Sequence, residues 1–561
     1  MGRILYVPLD DRPVNTDDVI MQGKSAGIEV ITPNTASIRN RLDSQLLACG
    51  SSITSTYSPT FGNPADIRQF IVNHADSVDG FIISIDMLVY GGLIGSRRLR
   101  PTSGGTYPHY DSTVTGLLDT LKQIKQRYPH KPIYVLDTVM RLATTPFVES
   151  ETQDSYTESR SFMQQTRKTE TEFEPILNGY DLRPDGTAFG DPVHFNKEQY
   201  YHARRHKFKT NRYVLEQLAK QQVIDFLAIG VDDASTEGVQ MNEINWIEAR
   251  INEWLDGTNG QNRERAIILP DADGLGHCLL ARMVNHLQHG SSTPRFQTRY
   301  YGPHGSTIIN PYEYMNIEDN IRHHVEITGG DYVTSGPYDI EIISITSSAE
   351  AENAARRMAA NGKKQLPTIV IDFVGAGPAD PTVTHSLLAT PFTGRILGYS
   401  GWNTAGNKIG IAVGMGQARY DFLKSETEAE ALNIAVNAHG SLLFKRFLKD
   451  YYYKRETIGD IRAISAERSA YTNVAPDQNM LLFNTSSDYL QLTAVLREQM
   501  QAYTSTLAAE PAFCASYNIR QINGSSWNLS AYRSASLAYG NPEFSWGRAF
   551  EITLNPTVTL G

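Results

Sequence analysis

The sequence predicts an α/β fold built on parallel strands, and three observations support this class. Between residues 4 and 301, short runs rich in β-branched residues alternate with longer amphipathic runs, which is typical of βα units. Polar residues, especially Asp, follow most of the short runs, as expected at the carboxyl ends of parallel strands. The chain of 561 residues is also 40% hydrophobic, with 20 Phe, 29 Tyr and 5 Trp, which is ample for large buried cores.

The first part of the chain is expected to form a (β/α)8-barrel-like or an open parallel-sheet catalytic domain over residues 1–345. Short apolar runs predict strands at residues 4–7, 29–32, 80–85, 132–136, 225–230, 266–269 and 296–301, and an eighth at 340–345 would complete a barrel. Amphipathic periodicity predicts helices at residues 112–128, 198–222, 243–255 and 275–289. Residues 51–64 and 144–192 interrupt the pattern and are expected to be insertions that act as lids or substrate walls.

A second, smaller α/β domain is expected over residues 346–450, because a chain of this length divides into two or three domains. The pattern predicts a helix at 349–361, strands at 368–373, 395–399 and 409–413, and a long helix at 427–448. Residues 451–561 are expected to be a C-terminal α+β extension, with a helix at 489–504 and a strand at 550–554.

Charge and composition exclude several classes of partner. Lys and Arg number 51 against 61 Asp and Glu, a net charge of −10, whereas a nucleic-acid partner would need a basic surface. No stretch approaches the ~20 apolar residues of a membrane span, and the first apolar run stops at Pro8, too early for a signal peptide. A cytoplasmic protein is therefore expected, unless a leader has been removed. The charged fraction of only 20% favours a neutral, hydroxylated ligand such as a sugar, and nothing indicates the oligomeric state.

Acidic residues follow the predicted strands, and Arg residues lie among them. Because these strand ends converge on one face of a parallel fold, they are the candidate site; the substrate-binding candidates are Asp10, Asp11, Arg12, Asp86, Tyr90, Arg97, Asp137 and Arg141. A single Asp after a strand can equally cap the next helix. A cap needs only one side chain, so the doubled acids favour function, and Asp232 and Asp233 are the catalytic candidates.

A second candidate element is the Gly-rich segment 398–407, which reads GYSGWNTAGN. An aromatic ring can stack on the C–H face of a sugar, and side-chain amides can bond its hydroxyls. Trp402, Asn403 and Asn407 are therefore candidate sugar-binding residues. The alternative is a Gly-rich turn in which Trp402 is a core residue. The segment lacks the Lys-Ser/Thr of a phosphate loop.

Four motifs together resemble a bacterial family catalogued as domain of unknown function 4127 (DUF4127). They are PLDDRPVN at 8–15, Asp86 followed by YGGL at 90–93 and Ser96-Arg97, GVDDAS at 230–235, and GWNTAGN at 401–407. The resemblance spans about residues 3 to 450 and implies no particular reaction. The acids Asp372 and Asp380 lie in a looser context than the family pattern.

A local resemblance concerns the strand that ends in Asp232-Asp233 and the Trp402-Asn403 element downstream. This arrangement is similar to that in retaining hexosaminidases of the O-linked N-acetylglucosaminidase type, which are barrel enzymes. The resemblance implies that Asp232 orients a 2-acetamido group, that Asp233 is the general acid and base, and that Trp402 and Asn403 bind sugar. Such enzymes use substrate assistance instead of a carboxylate nucleophile.

The leading hypothesis is a glycoside hydrolase that acts on a glycan or oligosaccharide by carboxylate acid/base catalysis, without a cofactor. One alternative is a metal-dependent hydrolase, a deacetylase or phosphoesterase, in which Asp10, Asp86 and Asp232 hold Mg²⁺ or Mn²⁺. Another is a non-catalytic carbohydrate-binding protein. Each predicts that the acids at the strand ends line one pocket.

Overall fold

The computed structural model describes residues 2–42, 59–99, 110–146, 148–288, 292–375, 377–468, 486–524 and 526–561. Six parallel strands form the first sheet, in the order β2-β1-β3-β4-β5-β6. They are β1 (Gly2–Val7), β2 (Ile28–Ile31), β3 (Gly80–Ser84), β4 (Ile133–Val139), β5 (Phe226–Val231) and β6 (Ala266–Pro270). Most of them are buried on both faces, so they appear in the sequence as continuous apolar runs. The predicted α/β class is confirmed.

The second sheet has five parallel strands in the order β11-β10-β9-β7-β8. They are β7 (Arg295–Tyr301), β8 (Asp331–Tyr332), β9 (Ile340–Ile345), β10 (Thr368–Asp372) and β11 (Gly398–Ser400). A barrel would require the predicted eighth strand to pair with β1, but β1 already pairs with β2 and β3. The open sheet is therefore the arrangement present, and the barrel alternative is wrong. The boundary predicted at residue 345 falls between two paired strands of this sheet.

Helices connect the strands and cover the sheets. In chain order they are α1 (Asp17–Ser25), α2 (Thr35–Ile38), α3 (Pro64–His74), α4 (Ile85–Tyr90), α5 (Leu93–Ser96), α6 (Ser112–Arg127), α7 (Gln153–Met163), α8 (Phe173–Asn178), α9 (Lys197–Tyr213), α10 (Gln240–Trp254), α11 (Leu275–Leu287), α12 (Ile317–Ile327), α13 (Ala351–Lys363), α14 (Pro381–Leu388), α15 (Ala405–Ser425), α16 (Ala429–Phe447), α17 (Ile458–Arg468), α18 (Ser486–Ala509) and α19 (Pro511–Cys514). Two π-helical segments, Val214–Ala219 and Leu448–Thr457, continue α9 and α16, and 3₁₀ turns lie at Ser348–Glu350 and Pro391–Arg395. In the part of the chain that is described, none of these helices has the length and apolar character needed to cross a membrane.

The structure describes the two predicted insertions to different extents. Residues 51–58 of the first lie outside the described residues, and residues 59–64 lead into α3. The described part of the second, residues 144–192, contains α7 and α8. Residue Thr152 caps α7, with its hydroxyl accepting from the backbone N–H of Ser155 at 3.1 Å.

Helix α15 joins the two sheets into one hydrophobic core. The strand predicted at residues 409–413 is wrong, because these residues belong to α15. This helix is buried on nearly all sides, so it lacks the one-sided apolar period that reveals a surface helix. Glycines allow its close approach to α11: a Cβ on Gly410 would lie 2.6 Å from Cα of Gly274. Side chains from β1, β9, β10 and α15 belong to the same buried cluster.

The C-terminal region adds antiparallel strands. β12 (Tyr517–Asn523), β13 (Ser526–Ser536) and β16 (Thr557–Leu560) form one sheet, while β14 (Glu543–Phe544) and β15 (Ile552–Thr553) form a short hairpin. We call residues 545–551, between β14 and β15, the hairpin loop. It returns the chain to the carboxyl end of the first sheet, where Trp546 donates to Asp11.

Candidate functional site

A cavity of about 420 Å³ lies at the carboxyl ends of strands from both sheets. The loops after β1, β3, β4, β5 and β6 form its floor, and the chain segments after β7 and β11 and the hairpin loop form its walls. Its polar and aromatic lining includes Arg12, Arg97, Arg141, Gln153, Tyr156, Asp232, Asp233, Asp271, Asp273, Tyr312, Glu313, Asn403, Asn407, Trp546, Arg548 and Phe550. Seven predicted site residues thus lie together: Arg12, Arg97, Arg141, Asp232, Asp233, Asn403 and Asn407.

Arg12 occupies the floor between two buried carboxylates. Its Nε lies 3.0 Å from Asp10 Oδ2, and its Nη1 lies 3.0 Å from Asp273 Oδ2. The amide of Asn15 donates to Asp10 at 2.9 Å and to Asp273 at 3.1 Å. Burial and the charge of Asp10 raise the pKa of Asp273 to about 6, although Arg12 lowers it. Asp10 is fully buried and therefore holds Arg12 in place from behind the cavity.

The doubled acids at the end of β5 differ in their surroundings. Asp232 is buried and accepts two hydrogen bonds from Arg97, one of them 2.8 Å long from Nε. Burial raises the pKa of Asp232, as does the neighbouring carboxylate of Asp233, while Arg97 lowers it. The Asp233 side chain is 25% exposed, and its Oδ2 lies 3.3 Å from Nη1 of Arg141. Asp233 has a φ of 40°, a left-handed conformation that non-glycine residues adopt rarely and that occurs often at functional sites.

Glu313 provides a third carboxyl group that sequence reasoning missed. It lies in the segment between β7 and α12 and is buried at the cavity wall. Its Oε1 accepts from the backbone N–H of Gly406 at 2.8 Å, at the first turn of α15, and its Oε2 accepts from Asn320 at 3.2 Å. Burial, together with the charges of Asp271 and Asp233, raises the pKa of Glu313 well above its usual value despite these two donors.

Aromatic residues that were not predicted complete the walls. Tyr156 comes from α7, within the predicted insertion, and Tyr312 immediately precedes Glu313. Trp546 and Phe550 come from the hairpin loop. The indole N–H of Trp546 donates to Asp11 Oδ1 at 2.7 Å, and the Arg12 guanidinium lies 5.1 Å from its ring centre.

Three predicted site residues form a separate buried cluster beneath the cavity floor. Lys207 of α9 lies 2.7 Å from Asp137 Oδ1 and 3.2 Å from Asp86 Oδ1. The Tyr90 hydroxyl lies 2.8 Å from Nδ1 of His206. None of Asp86, Tyr90 and Asp137 lines the cavity, so the structure does not bring them together with the other predicted site residues, and their contact with substrate stays a prediction. The sequence pattern could not separate these acids from Asp232 because all of them follow buried strands.

Trp402 and Asp11 also lie away from the cavity lining. Trp402 is buried against Val14 and Ile411, with Lys454 Nζ 4.3 Å from its ring centre. Its predicted sugar-stacking role is therefore corrected to core packing, which the sequence left open. Asp11 accepts from Asn40 N at 3.0 Å and from Trp546. Burial and the charge of Asp10 raise the pKa of Asp11 to about 7. Asp11 acts as an anchor for the hairpin loop.

The cation site proposed on Asp10, Asp86 and Asp232 is not assembled. Each of these three carboxylates is bound by a different basic side chain, Arg12, Lys207 and Arg97 respectively. Within the described ranges, no three His, Cys, Asp or Glu side chains are grouped so that they could hold a metal ion.

Comparison with known proteins gives one clear result. The family model for a protein of unknown function (DUF4127) matches residues 4–555. The chain belongs to the DUF4127 family. The resemblance predicted from the four motifs is confirmed, and the match extends through the hairpin loop to nearly the end of the chain. No comparison supports the local likeness to hexosaminidases.

Other comparisons give the DUF4127 protein no further relatives of use. No curated protein matches it. Among solved structures, it is similar to a UDP-glucosyltransferase from Polygonum tinctorium, described as capable of glucosylating indoxyl, in complex with 3,4-dichloroaniline. The identity is 9%, and the match covers 80% of this chain and 98% of that chain. The TM-score of 0.18 is too low to carry an argument about fold or activity.

Proposed function

We propose that this DUF4127 protein is a glycoside hydrolase that acts on a glycan or oligosaccharide, with Glu313 as the general acid and Asp233 as its carboxylate partner. The observation that carries the proposal is that two carboxyl groups in opposite surroundings line one cavity. Glu313 is buried with a raised pKa, whereas Asp233 is partly exposed and paired with Arg141. Such pairs divide acid and base roles between them.

The charges around the cavity favour an uncharged substrate. Arg97 is neutralised by Asp232, Arg141 by Asp233, and Arg12 by Asp10 and Asp273. Neutral side chains that can donate to and accept from hydroxyl groups complete the lining; they are Thr145, Gln153, Asn403, Thr404 and Asn407. A polyhydroxylated substrate fits this combination, and the cavity volume lies within the range of small-molecule sites.

The reaction assigns one role to each carboxyl group. Protonated Glu313 donates its proton to the leaving-group oxygen as the glycosidic bond breaks. Asp233 either attacks the sugar carbon or activates a water, and the separation of the two groups in the bound state decides which. Asp233 is held by Arg141 at its side chain and by Arg160 at its carbonyl oxygen, and the neighbouring Asp232 is held by Arg97. Because Glu313 must be protonated, activity is expected to fall as pH rises through its raised pKa.

The test measures hydrolysis of 4-nitrophenyl glycosides and of natural oligosaccharides by three proteins: wild type, Asp233→Asn and Glu313→Gln. We expect kcat to fall by about 10² or more in both variants on oligosaccharides, because each loses a group used in the transition state. Glu313→Gln should retain more activity on 4-nitrophenyl glycosides, since nitrophenolate leaves without a proton. Glu352→Gln, whose parent side chain is 79% exposed on α13, is the matched control and should retain full activity.

Three results would contradict the proposal. Wild-type turnover by Asp233→Asn would remove Asp233 from the reaction, and full activity of Glu313→Gln with an inactive Asp233→Asn would favour the substrate-assisted scheme of Asp232 and Asp233. If the wild-type protein binds glycans but cleaves none of them, a non-catalytic binding protein is the correct description.

A further inference from the structure

Tyr312 combines an exposed ring with an immobilised backbone at the edge of the cavity. It is 37% exposed, in contrast to the other aromatic cavity residues, which are more buried. Its φ of 69° places it in the left-handed region, which a bulky residue adopts only when its surroundings enforce it. Its carbonyl accepts from the backbone N–H of Ala234 at 2.9 Å, so the residue is tied directly to the strand end that carries Asp233.

Arg160 of α7 supports one face of this ring. Its guanidinium carbon lies 4.2 Å from the Tyr312 ring centre, and its two terminal nitrogens donate to the carbonyl oxygens of Asp233 at 3.1 Å and Ala234 at 3.2 Å. A guanidinium at this distance is held by the ring quadrupole. Arg160 therefore fixes the aromatic ring and the backbone of Asp233 relative to each other.

The neighbours of Tyr312 favour a sugar over an aromatic ligand. Tyr312 is adjacent in sequence to Glu313, and the cavity that it lines also contains Gln153 and Asn403 as well as the charged groups described above. An aromatic ligand would leave these hydrogen-bonding groups without partners, at a cost in free energy. A pyranose presents C–H bonds on one face and hydroxyl groups at its edge, so it satisfies both kinds of group.

We infer that Tyr312 is the platform on which one pyranose ring of the substrate stacks, next to the carboxyl pair. The inference rests on the proposed function, from which it takes sugars as the class of ligand. It assigns to Tyr312 the sugar-stacking role that the sequence suggested for Trp402. Arg160 is a positioning residue, because it acts through Tyr312 and Asp233.

The experiment measures binding and turnover separately. Isothermal titration calorimetry uses the tetrasaccharides of β-1,4-linked glucose, β-1,4-linked N-acetylglucosamine and α-1,4-linked glucose, with each protein also carrying Glu313→Gln to prevent cleavage. We expect Tyr312→Ala to weaken binding of the recognised tetrasaccharide about tenfold, and Tyr312→Phe to bind within about twofold of the parent because the ring remains. In proteins with Glu313 intact, Tyr312→Ala should raise KM with little change in kcat.

Tyr517→Ala is the matched control. Tyr517 is 43% exposed and also has a guanidinium near its ring, that of Arg395 at 5.6 Å, but it lies on β12 outside the cavity lining. Its replacement should leave the affinity unchanged. Thermal unfolding of every variant confirms that the fold is retained.

The outcomes separate this inference from the proposed function. If Tyr312→Ala binds and turns over the glycan as the parent does, the inference is wrong while the hydrolase stands. If the parent binds a tetrasaccharide through Tyr312 but cleaves nothing, the inference stands and the hydrolase fails. Equal loss of binding in Tyr312→Phe and Tyr312→Ala would assign the effect to the hydroxyl group and overturn the stacking role, and no binding of any tetrasaccharide would also overturn it.

Discussion

Replacing Lys207 by Met tests whether the buried cluster beneath the cavity is structural. The ammonium group lies 2.7 Å from Asp137 and 3.2 Å from Asp86, and all three side chains are essentially inaccessible to solvent. Met preserves most of the side-chain volume but leaves two buried carboxyl groups without their cation. Breaking a buried ion pair by removing one partner costs about 3–5 kcal/mol, so we expect the free energy of unfolding to fall by about that amount.

The loss should depend on pH, and its sign follows from Asp86. Burial and the charge of Asp137 raise the pKa of Asp86, while Lys207 lowers it. Without Lys207 this pKa rises further, so the folded state binds protons more tightly than the unfolded state. Stability supplied by a group with a raised pKa is present at low pH and is lost as pH increases. The variant should therefore be closer to wild type at pH 5 than at pH 8.

Urea unfolding followed by tryptophan fluorescence at both pH values measures the effect. Lys125→Met is the control, because Lys125 pairs with Asp225 at 2.8 Å on the surface, with side chains 19% and 40% exposed, where such pairs contribute about 1 kcal/mol or less. A loss in Lys207→Met that equals the control, or that is the same at pH 5 and pH 8, would refute the structural assignment.

Two further predictions concern positions away from the ion pairs. Asp421 is buried and hydrogen-bonded to amides, and burial raises its pKa to about 7, so the stability of the wild type should fall between about pH 4 and pH 7. Between pH 5 and pH 8, the thermal midpoint of Asp421→Asn should therefore decrease less than that of the wild type. An identical decrease in the two proteins would contradict this assignment. A Cβ on Gly406 would lie 2.0 Å from the carbonyl oxygen of Pro270, so Gly406→Ala should lower the free energy of unfolding by about 1–3 kcal/mol. A Cβ on Gly459 would meet no neighbouring atom within 4 Å, so Gly459→Ala should be neutral or stabilise the protein by up to about 1 kcal/mol. Equal thermal midpoints for the two variants would contradict this packing.

The strands and part of the site could be predicted because their signals are local. Most strands of the first sheet are continuous apolar runs, and Asp232 and Asp233 were found together because they are adjacent in sequence directly after one of them. Helix α15 was misread because a helix buried on all sides loses its periodicity. The sheet that β7 and β9 join depends on which strand edges are free for pairing in the folded protein. A local sequence pattern contains no information about that.

The site residues that the sequence did not reveal were missed for one shared reason. Glu313 and Tyr312 lie in an irregular connection, residues 302–316, and Trp546 and Phe550 lie more than 300 residues beyond Asp233 along the chain. Their roles arise from packing across the two sheets. A faint signal was present in the run NPYEYMN at 310–316, where a single acid lies between two Tyr after a predicted strand.

The hairpin loop has a consequence for synthesis of the protein. All strands of both parallel sheets have been synthesised once the ribosome has made residue 400. The residues that form one wall of the cavity are synthesised later; they are Trp546, Arg548 and Phe550. Until then Arg12 lacks the Trp546 ring beside it, and Asp11 lacks its indole donor. A nascent chain would therefore hold Asp233 and Glu313, the proposed catalytic pair, in an unfinished and open cavity, and binding of the proposed substrate would begin only after residue 550 had been translated.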